Sequence, residues 1–220
     1  STNVKVVNLL LAEGADVDAR ATDGSTPLHW AASGGETEIV KALLAEGGRV
    51  GITNNSGATP LLFACRYNHK PELVRLLLDA GADANTRDTA DATALQAAAF
   101  SGEQAIVEML FDHGADIDAH GYRGATALHW AVDGRQVDTV KLLLKRGAQW
   151  NAADSAKKTP IQWSQERAAA EQLRGLPAVT GAQFGVIGYS MGAYWALHLS
   201  QVRPDDVGAV LDMLETARRP

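Results

Sequence analysis

The chain has 220 residues, 46% of them hydrophobic and 21% charged, with a formal net charge of −6, an ordinary globular composition with enough chain to bury a sizeable core. Its acidic balance, with no clustered Lys/Arg stripe, argues against a nucleic-acid or anionic-membrane surface. A single cysteine excludes an internal disulfide, and the longest nearly apolar stretch, Phe184 to Leu199, is interrupted by glycines and a histidine and is too short to span a bilayer.

In chain order, the first element is an apolar helical stretch from Val4 to Leu11, which reads as the second half of a unit that lacks its first helix. A phrase then recurs: Gly24-Ser25-Thr26-Pro27-Leu28-His29-Trp30-Ala31, Gly57 to Ala64, Asp91 to Ala98, Gly124 to Ala131, and finally Thr159-Pro160-Ile161-Gln162-Trp163. Its threonines step by 33, 34, 33 and 33 residues. A second phrase, Gly14-Ala15-Asp16 and its counterparts at Gly47, Gly81, Gly114 and Gly147, always falls twelve residues before the next threonine. Two phrases locked in phase define a structural unit.

Thr26 suits a helix N-cap and Pro27 the first helical position, where a missing N–H is no loss. Gly34 and Gly35 then end a short helix. A second helix follows through Ile39, Val40, Leu43 and Leu44, buries an aliphatic stripe and stops at Gly47. The extra residue of the 34-residue step is expected at Asn68-His69-Lys70-Pro71, in the turn between two helices, with Asn68 in the left-handed place of Gly35 and Gly102. Asp91 replaces Gly24 and Gly57 as a weaker turn residue. Cys65 falls where other units have Ala32, Ala99 and Val132, the position of a buried, inert thiol.

A period near 33 with a T-P-L-H-x-A core resembles the ankyrin-repeat family. The fold this implies is an all-α solenoid of stacked turn-helix-helix units over residues 1–176, with full units starting near residues 22, 55, 89 and 122. A polar capping unit lies near 155–174. The resemblance also implies a non-catalytic module that binds a protein partner on the concave face made by turn tips and first helices.

The positions on that face that vary between units are the tips Thr22, Asp23, Ser25, Asn55, Ser56, Thr89, Ala90, Tyr122 and Arg123, and the helix exits Ser33, Gly34, Arg66, Tyr67, Phe100, Ser101, Asp133 and Gly134. Of these, Arg66, Tyr67, Phe100, Tyr122 and Arg123 carry the side chains that dominate interface hot spots. Trp30, Phe63, Ala97, Trp130 and Trp163 form a column with one gap, which either packs between first helices or offers ring edges to the partner. His29 and His129 occupy positions that ankyrin proteins use for hydrogen bonds between turns. No cofactor motif and no zinc or calcium spacing is read.

After Pro177 the text changes. Phe184 to Ala193 is an apolar run that closes in G-x-S-x-G around Ser190, and with the following residues it resembles the nucleophile elbow of an α/β-hydrolase of the dienelactone-hydrolase type, a branch that more typically carries cysteine at Ser190. A serine hydrolase acting on an ester or lactone is therefore the alternative function. It needs a later acid and histidine, whereas the only histidine after Ser190 is His198, eight residues on in the same expected helix. Residues 177–220 are thus expected to be a hydrolase-like fragment that packs on the last repeat or pairs with a second copy to form a homodimer. With no cleavable signal read, the chain is expected in the cytoplasm.

Overall fold

The computed structural model describes residues 2–174, and every regular element among them is helical. In chain order these are α1 (Thr2–Ala12), α2 (Pro27–Gly34), α3 (Thr37–Ala45), α4 (Pro60–Phe63), α5 (Pro71–Asp79), α6 (Ala94–Ser101), α7 (Gln104–Asp112), α8 (Ala127–Asp133), α9 (Val137–Lys145) and α10 (Pro160–Arg174). The stack from α1 to Trp163 is one compact unit.

The recurrent threonine starts each short helix. Thr26, Thr59, Thr93 and Thr126 hold extended backbone immediately before α2, α4, α6 and α8. At Thr93 the cap is reciprocal: the Gln96 N–H donates to Thr93 Oγ1 at 3.3 Å, and the Thr93 N–H donates to Gln96 Oε1 at 3.2 Å. Such caps contribute about 1 kcal/mol each. In α4 the third helical residue is Leu62, which has no acceptor, so only the Thr59 hydroxyl end of the box remains.

Neither helix of a pair can cover its apolar surface alone, so the pairs stack in two rows. α2, α4, α6 and α8 form one row, while α1, α3, α5, α7 and α9 form the other. The motif leucines Leu28, Leu61, Leu95 and Leu128 point between the rows and are at most 2% exposed. Each contributes about 1.5–3 kcal/mol by burial. Val40 and Leu43, then Leu73, Val74 and Leu77, then Ile106, Val107 and Leu110, face them from the second row. Cys65 lies in this core, where burial raises its thiol pKa to about 12.

The extra residue of the second unit is absorbed earlier than the sequence suggests. It does not bulge in the turn at Asn68–Pro71; α4 instead widens into a π turn over Ala64–Asn68, closed by the His69 N–H donating to the Ala64 carbonyl at 3.0 Å. The left-handed residue is therefore His69 (φ 57°), not Asn68. Asn68 is held by the neighbouring unit: its amide donates to the Ser33 carbonyl at 3.4 Å and fills the space over Gly35. Register is restored at Pro71. Asp91 does adopt the left-handed backbone of the glycines it replaces (φ 60°).

Candidate functional site

Adjacent turns are tied together by side chains that recur with the repeat. His29 accepts the Thr26 N–H on Nδ1 at 3.1 Å, which leaves the proton on Nε2 to reach the Ala58 carbonyl at 3.0 Å in the next unit. His129 repeats the arrangement with Thr126 and the Lys158 carbonyl. Burial pushes both imidazoles below their ordinary pKa, as neutral linkers require. In the third unit Gln96 does the same work, donating to the Ala125 carbonyl at 3.0 Å and also to Ala119 at 3.1 Å. Its amide occupies the space where a Cβ of residue 121 would stand, so any side chain in place of Gly121 would displace the amide from these bonds. A second recurrent tie joins Asp18 to the Arg49 N–H, Asn85 to that of Asp116 and Asp118 to that of Gln149.

Both ties are missing between the second and third units. Leu62 stands in the histidine position and Gly51 in that of Asp18, Asn85 and Asp118. The π turn supplies a substitute: it carries Arg66 to Asp88, with Nη2 donating to Oδ2 at 2.9 Å. Burial is the largest single influence and opposes the Arg66 charge, but the interactions with the Asp88 carboxylate and with Tyr67 together outweigh it and raise the guanidinium pKa. Asp88 also accepts the Ala90 and Ala92 N–H groups on its other oxygen, so it holds its own turn as well as the contact.

The aromatic residues of the first-helix row fall into two clusters. In the first, Phe63 meets Trp30 edge-on at 6.5 Å, Tyr67 at 5.4 Å and the His29 ring at 5.3 Å. In the second, Trp130 meets Phe100 at 6.1 Å and Trp163 at 5.6 Å, both edge-on, and stacks on Tyr122 at 6.3 Å. Ala97, half-buried, separates the two. The clusters are partly wet: Trp30 is 56% exposed, Tyr67 55%, Phe100 46% and Tyr122 47%.

The column read from the sequence therefore divides. Trp163 is fixed by its indole N–H donating to Asp154 at 2.9 Å, Trp130 and Phe63 are half-buried, and Trp30 is mostly exposed while still meeting Phe63. Arg66 sits at the edge of the first cluster with its guanidinium committed to Asp88, and Arg123 projects from the tip beside Tyr122, exposed. One tip residue, Ser25, is buried instead, with its hydroxyl donating to Asp23 at 2.8 Å. Lys157, exposed on the last tip, was not among the sequence candidates. Its signal was present, since it occupies the turn position of Gly24, Gly57 and Gly124.

Among the described residues no group of three or more His, Cys, Asp or Glu side chains could hold a metal, and no helix is long and apolar enough to cross a membrane. Ser190, the elbow around it and the proposed pairing of residues 177–220 lie outside the described residues. No curated protein matches the chain. A family model described as ankyrin repeats in three copies matches residues 1–88 and again 70–154. With phased caps, two stacked rows and turn-to-turn ties repeated along that same span, the chain belongs to the ankyrin-repeat family, whose repeats generally serve as protein–protein interaction modules.

Proposed function

We propose that the chain is a non-catalytic binding module whose partner protein rests on the row of first helices and turn tips. Trp30, Phe63 and Tyr67 form one contact patch, and Phe100, Tyr122, Arg123 and Trp130 the other. What supports this is the partial exposure of Trp30, Tyr67, Phe100 and Tyr122 along a row whose motif leucines are fully covered. Large, rigid side chains left wet in a cluster are the usual anchors of an interface. Arg66 serves this site through Asp88, by holding the two patches in register.

The test is quantitative capture from lysate with the full chain and its Trp30→Ala, Tyr67→Ala, Phe100→Ala and Tyr122→Ala variants. A partner whose recovery falls with these changes, while circular dichroism is unaltered, supports the face. A specific partner recovered equally by all of them places binding elsewhere. The sequence around Ser190 carries the second reading, ester or lactone hydrolysis. Equal turnover of a chromogenic short-chain ester by the intact chain and by Ser190→Ala would end it.

A further inference from the structure

The two patches differ in charge. Around the first, three charged groups are already engaged: Arg20 donates to the Thr53 carbonyl at 2.7 Å, Arg66 pairs with Asp88, and Asp23 accepts from Ser25. Around the second, Arg123 and Lys157 stand on adjacent turn tips, joined by the Ser155 N–H donating to the Arg123 carbonyl at 2.9 Å. Both are exposed, and neither side chain has an ion pair or hydrogen bond among the described residues. The carboxylate in the same turn as Lys157, that of Asp154, is buried and occupied by the Ala156 and Lys158 N–H groups and the Trp163 indole. Asp91 lies one turn away, toward the first patch. In a chain of net charge −6, these two turn tips present free positive charge beside exposed rings.

Both residues also hold a left-handed backbone. Arg123 has φ 61° and ψ 22°, and Lys157 has φ 63° in a turn position that three other units give to glycine. Side chains disfavour this left-handed region, which His69, Asp91 and Arg135 also adopt, so the backbone alone does not mark the site. Neither cation repays the strain through a contact within the fold.

We propose that the partner presents an acidic segment with an apolar anchor. Its carboxylates meet Arg123 and Lys157, and its anchor lies on Phe100, Tyr122 and Trp130, next to the space left by Ala97. The proposal rests on the binding face proposed above and adds the chemistry of what binds there. Complementary charge at the rim of an aromatic patch gives selectivity and salt dependence, while the rings supply most of the affinity.

The experiment is selection of a random peptide display library on the full chain, followed by anisotropy titration of the enriched peptides at low and high salt. The expected peptides combine Asp or Glu with an aromatic or large aliphatic residue. Arg123→Gly with Lys157→Gly should weaken them about tenfold at low salt and much less at high salt. The same pair should raise the melting temperature by about 2 °C, because glycine relieves the two turns. Phe100→Ala should weaken binding about thirtyfold. Enriched peptides that lack acidic residues and ignore the glycine pair, yet depend on Phe100, would overturn the acidic chemistry and leave the face standing. Peptides indifferent to all three changes would overturn the face as well. Two further results count against the proposal: no enrichment over the bare support, or Arg123-dependent binding of a labelled uridine oligonucleotide in place of acidic peptides.

Discussion

Replacing Arg66 with alanine should loosen the stack at one interface, between the second and third units. That interface lacks the histidine tie because Leu62 stands there, and it lacks the aspartate tie because of Gly51. The Arg66–Asp88 pair takes their place at 2.9 Å. Breaking a fully buried ion pair costs about 3–5 kcal/mol because a charge is stranded, while an exposed pair contributes about 0–1 kcal/mol. Here the Asp88 side chain is 6% exposed and that of Arg66 34%. Asp88 would also keep its two backbone N–H donors. The expected cost lies between those limits, at about 2 kcal/mol. Because repeat arrays couple only neighbour to neighbour, the loss should be local. Hydrogen exchange by mass spectrometry of the full chain reads it directly. Amides of α4 and α5 on one side of the break and of α6 and α7 on the other should exchange about thirtyfold faster, and those of α1, α2 and α9 should change much less. Acceleration spread evenly along the whole stack, or a loss of stability under about 0.5 kcal/mol in urea unfolding, would show that the pair is not what joins these units.

Two further outcomes follow from the ties on either side. Gln96→Ala removes three hydrogen bonds to buried neighbours, with the Thr93 N–H and the Ala119 and Ala125 carbonyls. At about 1 kcal/mol each, it should cost about 3 kcal/mol. Gln96→His can keep the bonds to Thr93 and Ala125, as His29 and His129 do in their units, and should cost only about 1 kcal/mol; equal losses in urea unfolding would refute the tie. The second outcome is a pH dependence. His29 and His129 have depressed pKa values through burial, so the unfolded chain binds their protons first as pH falls. Stability is complete above about pH 6.5 and should fall below it, levelling off once the folded-state imidazoles also titrate. Asp23, lowered mainly by the Ser25 N–H, and Asp154, where hydrogen bonds outweigh burial, keep their contribution until the carboxylate range and do not enter this window. Leu62 shows that leucine fits the position, so His29→Leu with His129→Leu should abolish the fall in melting temperature between neutral pH and pH 5.5; an unchanged slope would assign it to other groups.

The repeat made most of the fold legible, because each unit states the same local physics: a threonine cap, a buried leucine, a glycine exit. The sequence was less informative where a unit departs from its neighbours. One extra residue could sit anywhere between Thr59 and Gly81. In the structure it lies in the π turn, with Asn68 seated over Gly35 of the preceding unit, a contact that spacing does not contain. The same holds for Arg66. As an exposed arginine at a helix exit it resembled an anchor for a partner, and only the π turn, by swinging it onto Asp88, shows what it is tied to. Gly121 was readable in principle: glutamine replaces histidine at residue 96, and glycine follows where the turns of Asn54, Asp88 and Asp154 have a longer residue. Lys157 was readable too, as a misfit in a column of glycines. Nothing in the repeat could reveal which rings of the Trp30 column are wet, since that depends on packing between units.

These departures converge on one stretch of the face. The Arg66–Asp88 interface lies between the two aromatic clusters, whose central rings, Phe63 and Trp130, are two unit steps apart, or about 20 Å at ordinary interhelix spacing. A ligand that rests on both clusters must span it, and its apparent affinity is then scaled by the fraction of molecules in which that interface is closed. A ligand that uses only Phe100, Tyr122 and Trp130 is exempt. Arg66→Ala therefore distinguishes the two without touching either cluster's rings. If binding weakens in the same proportion as the closed fraction read from hydrogen exchange, the partner bridges both patches. If the interface opens and affinity for an acidic segment is unchanged, the second patch with Arg123 and Lys157 is sufficient, and Trp30 and Tyr67 contribute nothing to that complex.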